Sequence, residues 1–298
     1  MAHPVAKLLI GFFFVAALLV AAAVGFTLSQ PAPAPPPLPQ PNGYDDFVKA
    51  GRMVTDNSEG YRTMSEEELR AFVKKNAEAL KLARAGFGRN CRVPPDYSVT
   101  TVTNFYIHRL SVLKQLAFTF TAEGRLAEME SRTGAAAESY LGTVRLGLGI
   151  SQGGVIVDSL VGLTIEAIGM ARLEDLARNL DAKQCREVLS ALETVESERE
   201  SVETVLEREQ IWDRHIRGFR GQIDRWVRFK TVQQVEQKWA GRVRGQQTRT
   251  RLLLLQLAAH AYELEKGKRP KSLADLVPAY LKAISQDPLT GTNKAYRL

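Results

Sequence analysis

The sequence predicts a mainly α protein with four parts in order. These are a membrane-spanning N-terminal helix, a proline-rich linker, an all-helical extramembrane domain of helical hairpins, and a short turn-rich C-terminal cap. Three observations predict it. Residues 8–28, LLIGFFFVAALLVAAAVGFTL, carry no charge. Seven of the 13 prolines fall within residues 29–43. From there to Gly267, apolar residues recur at spacings of three and four, the period that puts them on one helix face.

The segments are residues 1–28 (cytoplasmic stub and anchor), 29–43 (linker), 44–250 (helical body) and 251–298 (a buried helix plus the capping module). As a helix, residues 8–28 span about 30 Å, the thickness of a bilayer's hydrocarbon core. Lys7 precedes the run and the next basic residue is Lys49. The positive-inside rule therefore places the N-terminus in the cytoplasm and the rest on the far side of an inner membrane, in the periplasm. A cleavable secretory signal is the competing reading, with AAAVG as its small-residue site and a secreted product. Signal cores usually run only about 7–15 apolar residues, so the length favours a retained anchor. GFTLSQ resembles a prepilin cleavage site, but its long apolar helix precedes the glycine instead of following it. The prolines of residues 29–43 fix φ and remove backbone donors. They predict an extended spacer, or a disordered tether, that holds the domain about 35–40 Å from the membrane.

Within the body, Ser65 and Glu68 form a capping box opening a helix over 65–86, and Pro94-Pro95 break the chain. A second helix is expected from about Thr100 to Ser131. The spacing Phe120, Gly124, Ala127, Ala136, Tyr140 resembles a tetratricopeptide helix pair, in which small residues let antiparallel helices approach. Glu123 and Ala127 depart from that pattern, and no second copy follows 34 residues on, so one helical hairpin is expected. Residues 146–170 read as a buried helix packed through Gly149, Gly153 and Gly162. Gln152, Asp158 and Glu166 argue against a second span. Asp181 caps a long helix over 181–217, whose mixed charges mark an exposed face. Trp212, Ile216, Phe219, Ile223 and Trp226 extend it as core or helix-pairing surface, with Gly218 and Gly221 as breakers.

The chain has 298 residues, 45% hydrophobic and 24% charged, with a net charge of +7. That balance favours anionic surroundings without choosing among lipid, cell-wall polymer or nucleic acid. Its densest basic stretch is 208–251. Arg214, Arg217, Arg220, Arg225, Arg228, Arg242 and Arg244 are the candidate anion-binding residues, interleaved with Trp226, Phe229 and Trp239. Nucleic acid is not expected as a partner of a domain outside the cytoplasm. The expected partners are the inner membrane and an envelope protein. Cys91 and Cys185 leave open a disulfide or two thiols.

Catalytic motifs are absent. His3, His108, His215 and His260 form no metal-ligand spacing, and no nucleophile elbow, phosphate loop or dinucleotide motif occurs. No metal or cofactor is expected. Asp158 and Glu166, eight residues apart, share a helix face and could serve an envelope hydrolase if burial raised one pKa. The plainer reading pairs them with Arg or solvent. A structural or protein-interaction role without catalysis is the leading expectation.

At the C-terminus, residues 251–267 predict a buried helix closed by Gly267, with His260 in the core beside Tyr262. Ser272 caps a short helix, Pro278 interrupts it, and DPLTG turns into a docked KAYRL tail. The order carried by Ala258, Ala261, Tyr262, Gly267, Pro270, Ser272, Leu273, Leu276, Val277, Pro278, Tyr280, Leu281, Asp287, Pro288, Thr290, Gly291, Tyr296 and Arg297 resembles the ending of a group of uncharacterised bacterial single-pass envelope proteins. So does the Gln152–Gly162 run. The resemblance implies a membrane-anchored, mostly helical protein with no assigned activity. The ending is also weakly similar to that of type II secretion pseudopilins, without their calcium ligands.

Overall fold

The computed structural model describes residues 13–19, 22, 25–26, 33–56, 58–95, 102–284, 286 and 291–292, without the side chains of 102–109, 219–222, 224 and 226. Among these residues all regular structure is helical. The α-helices are α1 (Gly43–Met53), α2 (Glu66–Lys75), α3 (Ala77–Phe87), α4 (Val102–Met129), α5 (Thr133–Gly149), α6 (Ile156–Leu176), α7 (Ala182–Glu198), α8 (Val202–Val227) and α9 (Phe229–Lys266).

The α4–α5 hairpin forms as the small-residue spacing predicts. Phe120 and Tyr140 are fully buried. A Cβ at Gly124 would run into the Tyr140 ring, and one at Gly142 would lie 2.9 Å from the Phe120 ring. The Tyr140 hydroxyl donates to Glu128, so the ring is buried with its polar end satisfied. Glu123, out of place in the repeat pattern, accepts from Arg84 and from Ser139 Oγ.

Three helices predicted as continuous are broken, each by a polar side chain or glycine that serves the backbone. The 65–86 helix divides at Asn76 (φ −101°, ψ 11°). The Asn76 amide donates to Phe72 O at 2.9 Å, and its carbonyl accepts from Thr55 N at 2.8 Å. That exchange binds the preceding loop at the cost of one helical step. The 146–170 helix divides at 150–155, where Gly153 takes φ 70°, a left-handed conformation that Cβ-bearing residues resist. The 181–217 helix ends at Glu198, and Ser201 restarts the chain by accepting from Thr204 N at 3.1 Å, the hydrogen bond of an N-cap.

One core cluster joins α4–α7 to the C-terminal module: Tyr140, Met170, Leu173, Leu192, Leu253, Leu257, Leu276 and Leu281 are all within it. No break falls at 250/251, because α9 runs unbroken from Phe229 to Lys266. Its 251–267 part buries only one face. Leu253, Leu257, Ala258 and Ala261 are inside, whereas Leu252 and Leu264 are about half exposed. Gly267 closes it in the left-handed conformation, φ 65°. His260 Nε2 meets the Leu180 carbonyl at 3.1 Å, while Tyr262 packs on Tyr280, ring centroids 5.6 Å apart, and not on His260. Ser272 opens a 3-10 turn, Leu273–Leu276, with Asp275 accepting from Lys271 N and Ser272 N. The DPLT turn and the KAYRL tail lie outside the described residues.

Arg186 of α7 clamps this cap. It holds Glu265 through two bonds of 2.8 Å, donates to Ala279 O at 2.8 Å, and lies 4.4 Å over the Tyr280 ring. The Arg186 bonds, with help from the Tyr280 hydroxyl, hold the Glu265 carboxyl at about 2. A depressed carboxyl contributes stability that is complete above its unfolded value, about 4.3. That contribution fades as pH falls through about 2. Cap docking is therefore expected to weaken between pH 4 and pH 2, read by amide hydrogen exchange across residues 272–281, and Glu265→Gln should abolish that dependence. Leu276 is fully buried, so Leu276→Ala should cost about 2–5 kcal/mol in thermal unfolding.

Among the described residues, no helix is long and apolar enough to cross a membrane. Residues 8–28 are described only at 13–19, 22 and 25–26, all of them helical. Phe13, Phe14, Leu19 and Phe26 are each more than 60% exposed.

The spacer expectation needs correction. From Pro33 onward the linker lies along the body instead of standing off it. His215 Nε2 donates to the Pro33 carbonyl at 3.0 Å. Pro33, Pro35 and Pro36 share a cavity of about 260 Å³ with Val93, Ile211 and Trp212. A polyproline strand presents apolar rings and unsatisfied carbonyls together, and α8 offers partners for both. The linker ends at Asn42, which caps α1 through Tyr44 N and exchanges two bonds with the Arg92 backbone, at 2.8 and 3.0 Å.

Candidate functional site

The turn at 150–155 and the break at 199–201 face each other, and charged groups join them. Glu166, on the buried face of α6, is 1% exposed. It accepts from Arg199 Nη1 at 3.1 Å and from Nη2 at 2.7 Å. Arg199 also donates to Glu196 at 3.0 and 3.1 Å, and its side chain is 7% exposed. Burial pushes the Glu166 carboxyl up, and the Arg199 guanidinium opposes that push. Arg199 itself is held firmly charged by its two carboxylates.

Around this pair, Glu200 accepts from Gly153 N at 3.0 Å and from Arg208, which also donates to Gly154 O at 2.6 Å. Gln152 donates to Glu198 O at 2.6 Å. Trp239 Nε1 donates to Ser159 Oγ at 3.0 Å.

Asp158 and Glu166 share α6 but serve separate tasks. Asp158 accepts from Val155 N at 2.9 Å and closes the N-terminus of α6, where Glu209 accepts from Ile156 N at 2.9 Å. Carboxylates there satisfy orphan donors and complement the helix dipole. Burial raises the Glu209 carboxyl against the pull of that backbone bond. Asp158 lines the proline cavity, and Glu166 lines a separate cleft of about 20 Å³ beside Ser159 and Trp239. Glu166 is closed by Arg199 and Asp158 accepts from the backbone, so the two carboxylates have separate partners and line separate cavities.

Among the described residues no group of three or more His, Cys, Asp or Glu is arranged for a metal ion. Cys91 and Cys185 are free thiols, each pushed up to about 11 chiefly by burial. An open groove of about 1380 Å³ runs between the linker, α3, α5 and α7. Arg89 and Arg145 line it against Glu138 and Glu187, so both signs of charge face a visitor.

The candidate cationic residues fall into two groups. Arg208, Arg249 and Arg251 are bound into the body, to Glu200, Glu174 and the Gln286 carbonyl. Arg217 pairs with Asp213 at 3.1 Å, and Arg225 pairs with Glu236 across the α8–α9 connection. Arg228, Arg242 and Arg244 are exposed, and Arg214 is half-buried. Arg220 and the ring of Trp226 lie outside the described side chains, as does Phe219. Trp239 is buried and belongs to the core with Val205 and Val243, so it presents no face to a ligand.

Beyond Asp213 the chain leaves the core. Gly218, at φ 55° and ψ −145°, breaks α8, and no atom lies within 4 Å of where its Cβ would sit. Of the stripe expected past this point only Ile223 has a described side chain, 45% exposed; nearby Val227, Phe229 and Val235 are 69%, 59% and 52% exposed.

Comparison of the chain with protein-family models, with curated proteins and with solved structures returned no match.

Proposed function

We propose that this protein is held in a bilayer by residues 8–28 and presents its helical domain on the outer side of an inner membrane, as a structural or protein-interaction module. One observation carries the reading. The N-terminal segment is uncharged, is helical wherever it is described, and keeps its described Phe and Leu side chains more than half exposed. Large apolar side chains left exposed in water are unfavourable by about 1.5–3 kcal/mol each, and lipid removes that cost. The resemblance of the C-terminal ending to single-pass envelope proteins points the same way. The groove between α3, α5 and α7, with charges of both signs, is where a protein partner fits best.

The test is extraction of membranes that carry the full chain. Alkaline carbonate should leave the protein in the pellet, whereas a variant with Leu18→Arg and Leu19→Arg should become extractable. Release of the unaltered chain would refute the anchor.

A further inference from the structure

We propose that the exposed end of the α8–α9 hairpin docks onto an anionic lipid surface, the face of the same bilayer that holds residues 8–28. This inference rests on the anchoring proposed above.

The charge is the first argument. Between residues 214 and 244 there are nine Lys and Arg against Asp224 and Glu236, a formal excess of +7. The whole chain carries +7, so the rest of the protein is neutral in sum and its basic excess is gathered in this hairpin. Among the described residues, Lys230, Lys238, Arg242 and Arg244 are exposed and meet no carboxylate.

The second argument is apolar. Ile223, Val227, Phe229 and Val235 are exposed around the connection at Arg228. Apolar groups exposed together in a folded protein mark a contact surface. A soluble polyanion such as nucleic acid rewards the cations and leaves Val227 and Val235 in water. A lipid surface takes both: the apolar side chains enter the acyl boundary, and the long Lys and Arg side chains reach back to the head groups.

The third argument is connectivity. His215 holds the Pro33 carbonyl. Only four residues lie between Pro33 and residue 28, five steps with a reach of at most about 17 Å. Ile223 lies eight residues beyond His215, across the break at Gly218. The docked linker therefore keeps the hairpin within reach of the bilayer surface. Gly218, with open space around it, is the point where the hairpin adjusts its angle.

The experiment uses the full chain, with Val227→Cys labelled by an environment-sensitive fluorophore and reconstituted into vesicles of phosphatidylcholine alone or with phosphatidylglycerol. Flotation reports the anchor, and access of an aqueous quencher reports the hairpin. The expected result is flotation with both vesicle types and a several-fold loss of quencher access on the anionic vesicles only. That loss should reverse at 1 M salt, where charges are screened beyond about 3 Å. Phe229→Asp should restore access with flotation unchanged. A label equally accessible on both vesicles, with flotation intact, overturns the inference and leaves the anchor standing. Failure to float on neutral vesicles, with the label still buried on anionic ones, removes the anchor and supports the hairpin contact. Retention on heparin by a hairpin that stays wet on anionic vesicles makes the surface a polyanion site and overturns the proposal.

Discussion

Replacing Arg199 with Ala is expected to cost about 3–5 kcal/mol of folding stability, because it leaves a buried carboxylate without its partner. Glu166 is 1% exposed and takes two of its hydrogen bonds from Arg199. The loss carries a pH signature. Burial already raises Glu166 against the guanidinium, and without Arg199 burial and the neighbouring Glu196 charge remain, both pushing it up. An acid whose folded pKa lies above its unfolded value, about 4.3, binds protons more tightly when folded. Its penalty is absent below that value and grows as pH rises through the folded pKa. Arg199→Ala should therefore be more destabilised at pH 8 than at pH 5, as measured by denaturant unfolding in detergent. Replacing both Glu166 and Arg199 with Met should recover most of the loss, since a well-packed apolar pair often matches a buried ion pair. A loss under 1 kcal/mol, equal at both pH values, would mean that the pair is not formed.

The second large effect is expected from Gly147→Ala at the α5–α6 crossing. A Cβ there would lie 2.5 Å from the Gly162 carbonyl oxygen, 2.6 Å from Glu166 Cγ and 2.8 Å from Glu166 N. Two of those three atoms are backbone, so no side chain can swing away to relieve the overlap. The helices must separate, and Glu166 would be carried off Arg199. Overpacking of this kind costs about 1–3 kcal/mol, and more where backbone must move. Because both changes act on the same ion pair, Gly147→Ala and Arg199→Ala should combine with less than additive loss. Gly245→Ala is the control: nothing lies within 4 Å of its Cβ position. In a helix interior it should be neutral or gain up to about 1 kcal/mol. Thermal unfolding of the three variants measures both expectations.

These two sites also mark the limit of what could be read in advance. The helical class followed from apolar spacing, and the α4–α5 hairpin from Phe120, Gly124 and Tyr140. Local signals with one partner in sequence, such as the Ser65–Glu68 box and the Gly267 stop, were legible because their chemistry is complete within four residues. Arg199 was not. It sits in SERES, a run with the composition of a solvated face, and its partner Glu166 is 33 residues away. The available clue was Ser201, a cap residue inside that run, which divides one expected helix into two. Asn76 hid in the same way, since its partner Thr55 is 21 residues upstream. The linker was read from proline content as a spacer. Its docking depends on His215, 182 residues away, and no local pattern carries that. The basic stretch was legible as charge. Its division into bound residues and an exposed hairpin was not, because burial of Trp239 and the pairings of Arg225 and Arg249 are tertiary facts.

The anchored topology is tested most directly by a membrane-impermeant maleimide on intact spheroplasts expressing full-length chains, with cysteine placed at His3 or at the exposed Lys268. The native thiols give a slow background, since burial holds Cys91 and Cys185 at about 11. The account requires that Lys268→Cys be labelled at once and that His3→Cys be labelled only after the membrane is permeabilised. Labelling of His3→Cys on intact spheroplasts, or protection of Lys268→Cys, would contradict it.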